Sequence, residues 1–223
     1  MKLAIFGAAG LAGAAVAQLA LDRGDQVRAL VRSTKPPGVL DRAEIVRGDA
    51  LDPAAVAATV AGSDVVISTL GGYRGPDSID KGTMNIIGAM RRTGPRRLVV
   101  LQGFHIGFPG DPNNPGKHLV EAFLAVRCRP LLGRGAALGE LLRGTGDLDW
   151  TLVRIPRMVD GPPSGRAAAG TFRLGPISSV RVGDVADHLY RLAQERASIH
   201  EAPMLHTPRT AQKSHADPDL TRR

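Results

Sequence analysis

Gly7, Gly10 and Gly13 stand at even spacing between a short apolar run, residues 3–6, and an alanine-rich segment, residues 11–23. That order reads as a buried strand, a tight turn and a helix. A glycine turn at this place lets the backbone approach an anion closely, and the helix N-terminus offers unpaired N–H groups and a positive dipole end. Residues 3–21 carry no charge and follow Lys2, a pattern that a signal peptide or a membrane span also shows. The spaced glycines break the apolar run and favour strand, turn and helix instead.

The alternation continues along the chain. Residues 26–31 read as a second strand, 41–48 contain a short third, and Asp52 with Pro53 is placed to start a helix over 54–61. Residues 64–69 are a Val- and Ile-rich strand, 79–92 have helical spacing, and 97–101 are a fifth strand. Short apolar strands alternating with helices imply right-handed crossovers and a parallel sheet covered on both faces. The expectation is an α/β fold of the Rossmann type, doubly wound, with a mostly parallel sheet. Beyond a Gly-, Pro- and Asn-rich loop at 107–116, helices are expected at 117–127 and 136–143, a strand at 150–155 and a helix at 182–195. Residues 156–175 are expected to form a small irregular substrate-side lobe, residues 1–206 a single domain, and the rest a flexible tail.

With 223 residues the chain suits one well-filled core. The single cysteine, Cys128, asks for no oxidising compartment, so a cytoplasmic location is expected. A net charge of +8 suits polyanions, and Arg91, Arg92, Arg96 and Arg97 cluster around Gly94-Pro95. No nucleic-acid motif accompanies them, and a solvated turn explains the cluster. Neither a nucleic acid nor a membrane is an expected partner; a small-molecule substrate is. The histidines lack paired ligand spacing, so no metal site is expected.

A dinucleotide gives the glycine turn its chemistry. Gly7, Ala9, Gly10, Leu11, Ala12 and Gly13 would cradle the pyrophosphate, although a packing origin for such glycines is the competing reading. Arg32 ends the second strand, where an acidic residue would hold the ribose 2′-hydroxyl of NAD; an arginine there suits the 2′-phosphate of NADP. Arg32, with Ser33 and Lys35, therefore favours NADP(H) over NAD(H), against the plainer reading of an arginine leaving a sheet edge for water. Asp49 and Ala50 fall where an adenine would lie, or else begin a turn. Thr69, Leu70, Gly71 and Gly72 end the fourth strand, where small residues allow a ligand to come close.

With these residues in place, the chain resembles the atypical short-chain dehydrogenase/reductases, in particular the NmrA-like and biliverdin reductase B/flavin reductase group of NAD(P)H-binding proteins. The resemblance spans most of residues 1–206 and rests on the glycine turn together with Leu30-Val31-Arg32-Ser33, Gly48-Asp49-Ala50-Leu51-Asp52, Arg154-Ile155-Pro156 and Val182-Gly183-Asp184-Val185-Ala186. It implies that the segment Arg154-Ile155-Pro156, with Ile155 and Pro156 as cofactor contacts, borders the nicotinamide. Here Ile155 splits the group's usual Arg-Pro step, and Gln102-Gly103-Phe104 stands where members commonly have serine.

Many short-chain dehydrogenases use Tyr-x-x-x-Lys, the lysine lowering the tyrosine pKa so that it can protonate a carbonyl oxygen. Tyr73 is followed four places later by Asp77 and Tyr190 by Gln194, so neither fits. A flavin, biliverdin or quinone-like acceptor, which chiefly needs its ring positioned near the hydride, is compatible. Gln102, His105 and Lys117 are the candidate catalytic groups. For each a bland reading stands beside it: Gln102 orienting the nicotinamide amide, His105, Lys117 and His118 as surface residues. The leading expectation is an NADPH-dependent reductase of a flat conjugated small molecule. An NADP(H)-sensing regulator without turnover, or an epimerase, dehydratase or cyclase on the same fold, are the alternatives.

Overall fold

A computed structural model describes residues 1–33, 38–71 and 76–208. Lys35, Gly72, Tyr73 and the tail from residue 209 lie outside the described residues. The first half of the chain runs β1 (Lys2–Phe6), α1 (Leu11–Asp22), β2 (Gln26–Val31), β3 (Glu44–Arg47), α2 (Pro53–Val60), β4 (Val65–Ser68), α3 (Thr83–Thr93) and β5 (Arg97–Gly103). The second half runs α4 (Pro115–Arg127), α5 (Arg129–Arg143), β6 (Asp149–Ile155), β7 (Arg157–Val159), β8 (Ala168–Gly170), β9 (Ser179–Arg181), α6 (Val182–Gln194) and β10 (Met204–His206).

Eight strands form one sheet in the order β3-β2-β1-β4-β5-β6-β10-β8, with β8 antiparallel to β10 and the other pairs parallel. Strand β1 shows how the sheet is covered. Leu3 and Ile5 join the apolar layer under α1 and α6, with Val16, Ala20, Val185 and Leu189. Ala4 and Phe6 face the opposite layer, with Val56, Ile86, Met90 and Leu138 from α2, α3 and α5. This is the doubly wound Rossmann-type fold. The winding reverses between β1 and β4, and the crevice at the carboxyl ends of these strands is where such sheets bind ligands.

Local chemistry sets the element ends. The Asp52 carboxylate accepts a hydrogen bond from Ala54 N at 2.9 Å, with Pro53 in the first turn of α2. Gly24 (φ +81°) closes α1, and Gly94 (φ +105°) closes α3 in the left-handed region. The helix expected over 79–92 starts as a π-helical turn, Ser78–Gly82, and becomes α-helical at Thr83. Strand β5 runs on to Gly103, bringing Gln102 into the sheet. Helix α4 begins at Pro115 because Asn114 caps it through Lys117 N, and α5 extends back to Arg129.

Two expectations need correction. Residues 156–175 are not wholly irregular: β7 pairs with β9 as a small ribbon and β8 extends the main sheet beyond β10. Asp184 ties this region down, accepting from Ser164 N at 2.6 Å and from Thr207 Oγ1 at 2.7 Å. Arg97 does not belong to a solvated turn. Its guanidinium is buried, donating to the carbonyls of Leu192, Asp149 and Ala197 and to Thr151 Oγ1, so it staples β5 to β6 and to the end of α6. No helix among the described residues is long and apolar enough to cross a membrane.

Candidate active site

The glycine turn is held by packing at two of its glycines and left open at the third. Gly7 has φ +77°, and a Cβ there would lie 2.7 Å from Thr69 Oγ1. A Cβ on Gly13 would overlap the Gly7 carbonyl oxygen. Thr69 Oγ1 lies within donating distance of the Phe6 and Gly7 carbonyls, at 3.0 and 3.2 Å, which pins the turn to the end of β4. Gly10 is the N-cap of α1 and makes no side-chain cap, and its Cβ would meet only the Gly7 carbonyl, at 3.2 Å. The first-turn N–H groups of α1 have no acceptor within the helix. No acidic residue occupies that turn. An open glycine at an uncapped, acid-free helix start fits a pyrophosphate.

A cleft of about 490 Å³ lies over this turn. Of the residues expected to bind cofactor, Gly7, Ala9, Gly10, Arg32, Ser33, Asp49, Ala50, Thr69, Leu70 and Gly71 line it. Leu11, Ala12 and Gly13 do not; Ala12 and Gly13 are buried in the turn, and Leu11 is exposed beside it. Leu30, Val31, Gly48 and Ser78 also line the cleft. The β2 residues were recoverable from the strand end that carries Arg32.

Arg32 and Asp49 face each other across the cleft mouth, Nη1 to Oδ2 at 3.4 Å, both solvent-accessible. Asp49 also accepts from Leu51 N at 2.9 Å, so it both makes a turn and holds Arg32. Arg47, which sequence reading passed over, donates to the Ser33 carbonyl at 2.6 Å and brings a second guanidinium to this edge.

A separate apolar cavity of about 600 Å³ is formed by the end of β5, the end of β6, α4, Leu131 of α5 and the start and end of the 156–175 lobe. Ile155, Pro156 and His105 line it, with Gly103, Phe104, Leu119, Val120, Phe123, Leu124, Leu131, Arg157, Gly175 and Pro176. Gln102 stands between the two spaces. Its Nε2 donates to the Leu70 carbonyl at 2.6 Å on the cleft side, while its chain neighbour Gly103 lines the apolar cavity.

The other two candidate catalytic groups differ in setting. The His105 ring lies against Gly103, and its Nε2 is buried without a hydrogen-bond partner. Burial pushes its pKa down; Glu121 raises it and Lys117 lowers it further, with a net shift below the ordinary histidine value. Lys117, a candidate catalytic group with exposure as its competing reading, fits neither plainly: its ammonium is largely covered, 3.6 Å from Glu121 and 3.9 Å from Asp111, and it lines neither cavity described above. His118 is exposed beside Glu121. Tyr190 donates to Asp25 Oδ2 at 2.5 Å, and lines neither cavity.

Sequence reasoning gave Arg154 no role of its own, yet its guanidinium is buried and fully engaged behind the end of β6. It donates to both Asp111 oxygens, at 2.5 and 2.7 Å, and to the carbonyls of Ile106 and Ala202. Burial alone would raise the Asp111 pKa, but the hydrogen bonds from Arg154 and Phe108 N and the nearby positive charges hold it below the usual carboxylate range. The pair anchors the 104–114 loop, and with it His105, to β6.

Comparison with known proteins agrees with this geometry. A family model described as NAD(P)H-binding matches residues 7–196. A 2-alkyl-3-oxoalkanoate reductase of Stenotrophomonas maltophilia is 37% identical over 106 residues, covering 44% of this chain and 32% of that protein. The chain spans 59%, 32% and 27% of the length of three curated relatives that it matches. Among solved structures, an anaerobilin reductase from Escherichia coli O157:H7 superposes with a TM-score of 0.72 at 24% identity, covering 100% of both chains. A candidate NADH-flavin reductase of Streptococcus pneumoniae superposes with a TM-score of 0.69 at 24% identity, covering 93% of this chain and 100% of the other. At such identities the solved structures establish a shared fold. The family match spans the glycine turn, and the chain belongs to the NAD(P)H-binding family, on a Rossmann-type fold that these solved structures share.

Proposed function

We propose that this chain is an NADPH-dependent reductase that delivers hydride to a flat, conjugated small molecule of flavin-, biliverdin- or quinone-like chemistry. The observation that carries the reading is the apolar cavity set one residue beyond Gln102 from the nucleotide cleft. Bound along the cleft, the reduced cofactor supplies a hydride. Gly10 and the first turn of α1 would hold the pyrophosphate, Arg32 the 2′-phosphate, and Gln102 with Ile155 and Pro156 would frame the nicotinamide.

The cavity walls suit a flat acceptor. Leu119, Phe123, Ile155 and Pro156 offer apolar surface on which a conjugated ring can lie, and they exclude water once it does. Tyr190 is engaged with Asp25, which supports an acceptor whose reduction does not need a tyrosine acid. The fold neighbours named as anaerobilin and flavin reductases support the same class of acceptor. Acid–base chemistry without net hydride transfer is less well served, because Lys117 is drawn into the Asp111 and Glu121 carboxylates.

The test is NADPH oxidation by the purified protein against FMN, biliverdin and menadione, with a simple ketone as the contrasting acceptor. Turnover of at least one conjugated acceptor and none of the ketone is expected. Tight NADPH binding with no oxidation by any acceptor would favour a sensing role, and ketone reduction alone would remove the proposed substrate class.

A further inference from the structure

The apolar cavity carries a cation on its wall with nothing to balance it. Arg157, the first residue of β7, lines the space of about 600 Å³, and a guanidinium stays charged. Among the described residues no aspartate or glutamate lines the cavity. Nor does the exposed Arg157 side chain form a hydrogen bond or ion pair with any described residue. Two covered cations on the elements that build the cavity are, by contrast, neutralised. Arg154 of β6 holds both oxygens of Asp111, and Lys117 of α4 lies 3.6 Å from Glu121 and 3.9 Å from Asp111.

The small ribbon fixes the backbone that presents this charge. Arg157 pairs in register with Ser179 of β9, whose carbonyl accepts from Thr207 N at 3.0 Å, and Thr207 Oγ1 in turn donates to Asp184 at 2.7 Å. Arg157 also follows directly on Ile155 and Pro156, the residues proposed to frame the nicotinamide. On the same cavity wall Leu119 and Phe123 of α4 are 63% and 61% exposed. An arginine in open solvent needs no partner. One on the wall of an apolar cavity is where a ligand's charge can be met, and such isolated polar groups set how a ligand is oriented. A flat ring laid on Leu119 and Phe123 displaces water from the space that Arg157 lines, which strengthens its attraction for a negative group.

We infer, resting on the reductase reading above, that the acceptor is an anion: its conjugated ring lies in the apolar cavity, and a carboxylate or phosphate on its side arm is held by Arg157. Arg157 is then the residue that selects a charged acceptor over a neutral one built on the same ring. A planar guanidinium offers two parallel N–H donors to either group. Its role is separate from that of Arg32, which lines the cleft over the glycine turn and no part of this cavity. The reduction leaves the anionic group unaltered. That group fixes how the ring enters the cavity, and a neutral acceptor enters without that guide.

Matched acceptors that share a ring system and differ in charge test this with the full chain: FMN against riboflavin for a phosphate, and biliverdin against its dimethyl ester for carboxylates. NADPH is kept saturating so that the nucleotide cleft is filled. In the wild-type protein kcat/KM should favour the anionic member of at least one pair about tenfold or more, mainly through KM, as for a charge-assisted hydrogen bond. The pair that shows the preference identifies the group. Arg157→Ala should bring that ratio close to one. Arg157→Lys, which keeps the charge without the fork, should keep part of it, and Arg157→Glu should reverse it. Equal values within both pairs, or a preference that survives Arg157→Ala, would overturn the anion site and leave the reductase reading standing, as would turnover of menadione alone. A wild-type protein that reduces no acceptor would overturn both.

Discussion

Arg154 of β6 and Asp111 of the 104–114 loop form a bidentate ion pair, at 2.5 and 2.7 Å, beneath the segment that carries His105. The Arg154 side chain is 2% exposed and has no other carboxylate to turn to among its bonded partners. Replacing Asp111 by Asn would leave a buried charge uncompensated, a loss of about 3 kcal/mol or more. Chemical denaturation at neutral pH measures it. Because the folded-state pKa of Asp111 is lowered, its contribution is present above the unfolded value near 3.8 and is lost as pH falls through the lower folded value. The variant should lose less stability than wild type over that acid range. Equal slopes would show that the pair does not act as a charge pair.

The glycines of the turn should separate folding from binding. Gly13→Ala drives a Cβ into the Gly7 carbonyl, backbone against backbone, and should cost about 2 kcal/mol or more. Gly10→Ala meets only one atom at 3.2 Å and keeps an extended N-cap (φ −84°, ψ 166°) that alanine adopts freely. Its melting temperature should stay close to wild type while NADPH affinity falls about tenfold or more, since the methyl group stands where the pyrophosphate would pass. Melting curves with and without NADPH read both effects. A Gly10→Ala protein with full affinity would remove the pyrophosphate from that position.

A mildly acidic instability is expected from α6. His188 is buried there, its Nε2 has no partner, and burial followed by the charge of Arg191 lowers its pKa to about 4. The unfolded chain takes up this proton near pH 6.5, before the folded chain does. Stability should therefore fall as pH drops from about 6.5 to 4, by up to about 3 kcal/mol from this residue. His105 and His206, also lowered mainly by burial, add to the slope. Denaturation midpoints across that range, compared with His188→Phe, check the assignment: the variant should show a shallower slope.

Most of the sheet was legible because its strands and helices carry their period in sequence. The Gly7-to-Gly13 turn, the Asp52-Pro53 helix start and the Val- and Ile-rich strands each announce themselves locally. Strands of three residues, β7 to β10, have no room for a period, and their pairing comes from contacts made in three dimensions. Charged residues misled for the same reason. Arg97 is satisfied by a carbonyl 95 residues away, so it reads as a solvated arginine until the chain is folded, and nothing near Arg154 in sequence announces the carboxylate 43 residues away that it binds. The residues of the cleft over the glycine turn were legible as a group because they end consecutive parallel strands. The apolar cavity was less so, since α4 supplies much of its wall; exposed Leu119 and Phe123, one turn apart, were the available signal.

On the proposed function, the cleft over the glycine turn takes NADPH in preference to NADH, with Arg32 as the anchor of the 2′-phosphate. Arg32 must release Asp49 to meet a 2′-phosphate, and both are solvent-accessible, so the exchange costs little. A charge-assisted bond to phosphate is worth more than that exposed pair. Titrating the purified protein with NADPH and NADH, beside Arg32→Ala, tests this directly. NADPH should bind about tenfold or more tightly than NADH, and Arg32→Ala should erase the difference by weakening NADPH alone. Equal affinities in the wild-type protein, or a preference that survives Arg32→Ala, would contradict it.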